Sequence, residues 1–296
     1  MTHRERILAV LRGDTPDLLP WALRWDLFFE AAVRTGALPE RYRGMTYFDV
    51  CRELGMGIKA TQGRVYETRP RGMERTVTND GFDTVTRYVT PFGEVSQRFR
   101  VTPELLNQGV RGVLVEFFLK DGGDYDAVRY LMDHMEVVPA HDGLLAMQRQ
   151  VGDDGVVIVD GGMSPLHYVM RHVAGYEATY FHLHDYPREL DALLESVEAY
   201  QGRIQDVVLA SPAEIVRCDG HFDWQVTPKP LFERHFVPFF QRYKARLKSA
   251  GKYMLAHTDA DPRGLLDLIA DSGFDVAEAF TPPPMTGVSV AEARAI

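Results

Sequence analysis

With 296 residues, 45% of them hydrophobic and 25% charged, the chain has the composition of a folded globular protein, which excludes fibrous and disordered classes. Its formal net charge of −9 leaves no basic footprint for nucleic acid or an anionic membrane surface. The two cysteines, Cys51 and Cys218, lie far apart without C-x-x-C spacing, which excludes a disulfide framework and an all-cysteine metal site and fits a reducing compartment.

The opening MTHRERILAVLRG is too charged for a secretory signal, and no run supplies the roughly 20 apolar residues of a membrane span. A cytoplasmic location is expected. Thr2 and Glu5 stand in the capping-box relation, and Ile7, Leu8 and Leu11 recur at helical spacing, so the chain opens on a short amphipathic helix ended by Gly13 and Pro16. LLPWALRWD then reads as a strand leading to a charged edge, and DLFFEAAVRTG as a helix stopped by Gly36. From Arg75 to Val101 the period changes to two, with turn signals at Asn79-Asp80-Gly81 and Pro91-Phe92-Gly93. This predicts an antiparallel meander inserted in the N-terminal half.

The second half repeats a simpler unit. VVIVD (156–160), EIVRCD (214–219), KYMLAH (252–257) and FDVAEAF (274–280) are short β-rich runs, the first three followed by helical patterns such as ELDALLESVEAYQGRIQDVV and PLFERHFVPFFQRYKARLKSAG. Strands alternating with helices predict a parallel sheet. Ionisable residues come at the carboxyl ends of these runs: Asp160, then Asp219 with His221, then His257 with Asp259 and Asp261, then Glu278. In a closed β/α barrel those ends meet at one face, where the active sites of such folds lie. With no linker or repeat in view, a single domain over 1–296 is expected. Local explanations compete at several positions: Asp261 before Pro262 reads as a helix cap, as do Ser164-Pro165 and Thr227-Pro228, while Asp160-Gly161-Gly162 reads as a strand-to-helix turn. His182 and His184 read as solvated, and Phe232, Phe236, Phe239 and Phe240 as a core stripe at helical spacing.

The segment SAGKYMLAHTDADPRGLLDLIADSGFDVAEAFTPPPMTGVSVAEAR resembles the uroporphyrinogen decarboxylase superfamily, whose members carry a similar strand ending in His-x-(Cys/Asp) and a following strand that ends in glutamate. ERILAVLRGDTPDLLPW is similar to that family's amino-terminal segment, and TPKPLFERHFVPFFQRYKARL to the helix before its histidine strand. The resemblance implies a (β/α)8 TIM-type barrel with its cleft at the carboxyl ends of the strands. Such barrels continue for two more β/α units beyond Pro282-Pro283-Pro284, so a C-terminal truncation is expected.

Two activities divide the superfamily, and the resemblance carries both. One branch decarboxylates a tetrapyrrole without metal or cofactor, gripping carboxylates with arginine; Trp21-Ala22-Leu23-Arg24 looks like its W-x-x-R motif, which makes Arg24 the candidate anchor and Trp21 its neighbour. The second arginine and central aspartate of that branch have no counterpart. The other branch moves a methyl group between a corrinoid-carrying partner protein and an acceptor, usually through zinc. His257 matches its histidine, but Asp259 replaces the cysteine, so a hard zinc site on His257 and Asp259 is the expectation. Methyl transfer leads, with His257, Asp259, Glu278 and Asp219 as catalytic candidates and Arg24, Trp21, His221 and Asp160 as substrate contacts. Metal-free decarboxylation of a tetrapyrrole or smaller carboxylated molecule, and a non-catalytic ligand-binding barrel, are the alternatives.

Overall fold

Five of the strands in the computed structural model, which describes residues 1–296, lie side by side in one parallel sheet. In chain order the strands are β1 (Ile58–Gly63), β2 (Tyr66–Pro70), β3 (Glu74–Asp80), β4 (Asp83–Thr90), β5 (Gly93–Arg100), β6 (Val113–Glu116), β7 (Met135–Pro139), β8 (Gly155–Met163), β9 (Ile215–Asp219), β10 (Tyr253–His257) and β11 (Val276–Glu278). The parallel sheet runs β1-β8-β9-β10-β11, so each strand of the second half is added on the same side of its predecessor. Right-handed crossovers then place every connecting helix on one face. The architecture is mixed α/β with a mostly parallel central sheet, and its hydrogen bonds do not run on from β11 back to β1.

Side-chain alternation separates the two faces. Ala60, Val157, Val159, Val216, Cys218, Met254 and Ala256 point outward into the main core, where they meet helix residues such as Leu144, Val197 and Tyr243. The opposite face begins as an apolar floor of Val156, Ile158, Ile215 and Leu255, stoppered by Ile7, Leu8 and Leu11 of the first helix. Toward the carboxyl ends the same alternation presents Asp160, Arg217, His257 and Glu278, while on β1 it presents Lys59 near the start of the strand. That face is concave. Lys59 on β1 and Glu278 on β11 belong to opposite edges of the sheet, yet they form an ion pair. Four strand spacings of about 4.8 Å would hold flat edges beyond the reach of the two side chains, so the sheet must curl to bring them together.

The expected meander is present. β3, β4 and β5 pair antiparallel through the two turns read from sequence, and β6, which the sequence pattern does not reveal, adds a fourth strand to β5. Tyr88 and Val95 anchor this sheet in the main core beside Leu131 and Phe118. β2 pairs separately with β7.

Several local expectations are met. Thr2 caps the first helix in a full capping box, Gly36 ends Asp26–Thr35 in a left-handed conformation, and all four phenylalanines of the stripe are buried. Others are corrected. LLPWALRWD forms no strand: Pro20 offers no donor, and the Trp21 carbonyl instead accepts a bond from the Gly57 amide at 2.8 Å. The helix expected through PLFERHFVPFFQRYKARL is two, Lys229–His235 and Val237–Ser249, because Pro238 cannot donate back and crowds the preceding turn. Asp261 caps no helix: the next one starts at Leu266, and Asp261 turns its carboxylate to the Arg263 amide and guanidinium. Thr227 likewise caps nothing and donates to the His221 and Asp223 carbonyls. His182 is buried and bonded to the Tyr125 hydroxyl, not solvated.

Glu278 is only 6% exposed, so removing its lysine leaves a charge in a poorly solvated place. Lys59→Met is expected to lower unfolding free energy by about 3 kcal/mol in urea denaturation. A loss within error would mean that the cross-sheet pair does not hold the curl.

Candidate active site

Glu278 sits at the end of β11 where the chain must turn away, and Ala279 after it has a left-handed φ of 59°. The Glu278 carbonyl accepts bonds from the Thr258 amide at 2.8 Å and hydroxyl at 3.0 Å, which fixes the strand end. Its carboxylate takes the Lys59 ammonium on one oxygen and His257 Nδ1 on the other. His257 Nε2 faces Asp259 at 3.2 Å. Three residues proposed from sequence, His257, Asp259 and Glu278, therefore do come together, joined by Lys59.

This arrangement sets the charges. The Asp259 and Glu278 carboxylates raise the His257 pKa from 6.5 to about 9 against the effect of burial. Burial alone would lift Glu278, but His257 and Lys59 outweigh it and pull its pKa from 4.5 down to about 2. His257 also draws Asp259 below its ordinary value. At neutral pH His257 is an imidazolium held between two carboxylates, one of which also takes Lys59.

A second cluster stands beside it on the same concave face. Arg217 Nη2 donates to Asp160 at 2.7 Å, and its Nε lies 2.9 Å from Asp219 in an ion pair outside hydrogen-bond geometry. Burial raises the Asp160 pKa first, with Arg217 pulling it back and the Asp219 charge adding to the rise. Gly63, just past an irregularity in the β1–β8 register, takes the left-handed φ of +76° that glycine adopts without strain.

A cleft of about 430 Å³ opens over this face, lined by Arg24, Lys59, Arg111, Asp160 and Arg217 among others. Its size suits a small molecule. Arg24 is exposed, 3.8 Å from Asp26, and lines the cleft. Trp21 and His221 are not among the lining residues. Trp21 serves the chain through its carbonyl, while His221 packs edge-on against Tyr176 with ring centroids 5.2 Å apart, its pKa lowered by burial. Lys59 and Arg217 were not singled out from the sequence. The detectable signal was parity: Arg217 lies two residues after the apolar Ile215, so a charge had to fall on the same face within the strand.

Zinc and a corrinoid are what the resemblance implies. The His257–Asp259 spacing and the Glu278 carboxylate on the far ring nitrogen are features a zinc-bound histidine has. A third protein ligand is missing: no group of three or more His, Cys, Asp or Glu side chains is placed to hold a metal ion. His257 and Asp259 are the two residues here that would hold a zinc, with Glu278 orienting the His257 ring.

No protein-family model matches the chain, and no curated protein is similar to it in sequence. A solved methyltransferase from Methanosarcina mazei is similar in fold at 12% identity, covering 93% of this chain and 75% of that one, with a TM-score of 0.49. No helix is long and apolar enough to cross a membrane.

Linkage gives the ion chain a pH signature. The His257 contribution to stability is whole below its unfolded pKa near 6.5 and is lost as pH rises through about 9; the Glu278 contribution is present above 4.5 and lost as pH falls through about 2. His257→Gln is expected to flatten the alkaline limb between 6.5 and 9 in urea midpoints measured against pH, leaving other alkaline titrations in place. An unchanged limb would mean that His257 is not held as a cation.

Proposed function

We propose that the protein is a β/α-barrel enzyme that binds a small carboxylated molecule in the charged cleft and carries out metal-free decarboxylation. The observation that supports this most is that Lys59, Asp160 and Arg217, from three strands of one sheet, line a single cleft on its concave face. Arg24, Arg111, Lys59 and Arg217 offer the cationic donors that recognise carboxylates, Arg217 with the planar fork suited to two-point contact. Asp160 is the proton-transfer group. In the reaction the bond to the carboxyl carbon breaks, carbon dioxide leaves, the electron pair stays on carbon, and the Asp160 carboxyl supplies the proton that replaces it. Burial raises the Asp160 pKa and Arg217 pulls it back. His257, Asp259 and Glu278 act behind the cleft by holding the Lys59 ammonium in place.

The resemblance of the His257 strand and of Arg24 to the uroporphyrinogen decarboxylase superfamily agrees with this reading. Methyl transfer with a corrinoid partner protein is the second reading, with His257 and Asp259 as the residues that would hold its zinc. Turnover is to be assayed as carbon dioxide released from a panel of small aromatic and aliphatic acids, with enzyme freed of metal by chelation. Chelated wild type should retain activity, Asp160→Asn should lose about 10²- to 10⁴-fold in kcat, and Arg24→Ala should mainly raise KM. Activity restored only by zinc would contradict the metal-free reading, and an Asp160→Asn variant with full kcat would remove the proposed proton donor.

A further inference from the structure

The proposed reaction leaves an electron pair on carbon, and in a metal-free step the substrate itself has to accept that pair. An acid with a carbonyl group β to its carboxylate does so, because the pair delocalises onto the carbonyl oxygen as an enolate. Such a step is accelerated by fixed donors placed where that oxygen becomes negative.

β1 supplies them. Of its six residues, Lys59, Thr61 and Gln62 bring an ammonium, a hydroxyl and an amide to the cleft, and none is acidic. Lys59 and Thr61 share the concave face by alternation. In a regular strand Gln62 would point with Ala60 into the main core, but the ladder skips it: Thr61 pairs with Ile158 and Gly63 with Val159, so Gln62 is the extra residue of a bulge. Bulges re-aim a side chain in this way, and Gln62 lines the cleft. Its amide rests against the bare Cα of Gly143 in the helix Asp142–Val151, where an added Cβ would stand 2.5 Å from Nε2.

Lys59 is held from behind. Its partner Glu278 is 6% exposed and is also engaged by His257, so the ammonium is oriented before any ligand arrives. Donors set in place beforehand cost no reorganisation when charge develops. Asp160, the proton donor of the proposed reaction, enters the same cleft from β8, the strand next to β1.

We propose that Lys59, Thr61 and Gln62 form an oxyanion-binding wall and that the substrate of the cleft is a β-oxo acid, an inference that rests on the proposed decarboxylation. The bond between the α-carbon and the carboxyl carbon breaks, carbon dioxide leaves, and the electron pair passes through the α-carbon to the β-oxygen. That oxygen takes its negative charge beside the Lys59 ammonium and the Thr61 and Gln62 donors. The pair then returns to the α-carbon, which takes the Asp160 proton to give a ketone, and the Asp160 carboxylate regains a proton from solvent. A saturated acid of the same size offers this wall no oxygen and gives the electron pair no place to go.

Carbon dioxide release above the spontaneous rate, with chelator present, tests the wall on 3-oxobutanoate against butanoate and on 3-oxo-3-phenylpropanoate against 3-phenylpropanoate. Wild type should turn over both oxo acids and neither saturated partner. Gln62→Leu should lower kcat on the oxo acids about 10²-fold. Gln62→Glu keeps the shape but faces the oxygen with a carboxylate and should lower kcat further, with circular dichroism confirming that both variants are folded. Saturated acids turned over as fast as oxo acids, oxo acids untouched while another small acid is decarboxylated, or a kcat unchanged in both Gln62 variants would overturn the wall and leave decarboxylation in the cleft standing. Release from no acid at all would overturn the decarboxylase reading itself.

Discussion

The Glu278 carboxylate holds together elements that the backbone leaves apart. β1 and β11 share no ladder, and their ends meet through one buried acid that takes Lys59 from one edge and His257 from the strand beside it. Without that acid the ammonium and imidazolium would repel each other across the concave face. With it, the curl of the sheet, the tilt of Lys59 into the cleft and the charge on His257 become one coupled property. Replacing a buried ion cluster by apolar groups of the same shape is often neutral or stabilising, so what this cluster contributes is the positioning of its members.

The concave face is divided along its length by the period-two alternation of its strands. At the amino ends the positions are filled by Val156, Ile158, Ile215 and Leu255 and sealed by the first helix, which gives the charged layer a dry and rigid base. Two residues further on, the same rows carry Asp160, Arg217 and His257. Stability and chemistry are thus separated by a single step along each strand. Burial on that base raises the Asp160 pKa, and the clustering of opposite charges keeps the face from being uniformly repulsive to a ligand.

Much of this was legible in the sequence, and the limits have physical causes. The meander, the parallel strands, and the meeting of His257, Asp259 and Glu278 followed from alternation and from where ionisable residues interrupt apolar runs. Lys59 escaped notice because GIKATQG carries too few β-branched residues to stand out as a strand, and it becomes one only by pairing with β8. Arg217 was inside a recognised strand, but its role depends on Asp160 and Asp219 from neighbouring positions that no local pattern relates. The expected strand at LLPWALRWD failed because its apolar residues hid the lack of a donor at Pro20, and the segment joins no sheet. Zinc ligation was inferred from a two-residue match, and a ligand set is a property of three or more positions converging in space.

The protonation of His257 is where these relations can be read most directly. Nitrogen-15 NMR of the imidazole ring at pH 7.5 should show both ring nitrogens protonated, with the transition to a neutral ring only near pH 9. A neutral ring at pH 7.5, with one nitrogen carrying a free lone pair, would contradict the bridging of His257 by Glu278 and Asp259 and would return that nitrogen to the list of available metal ligands.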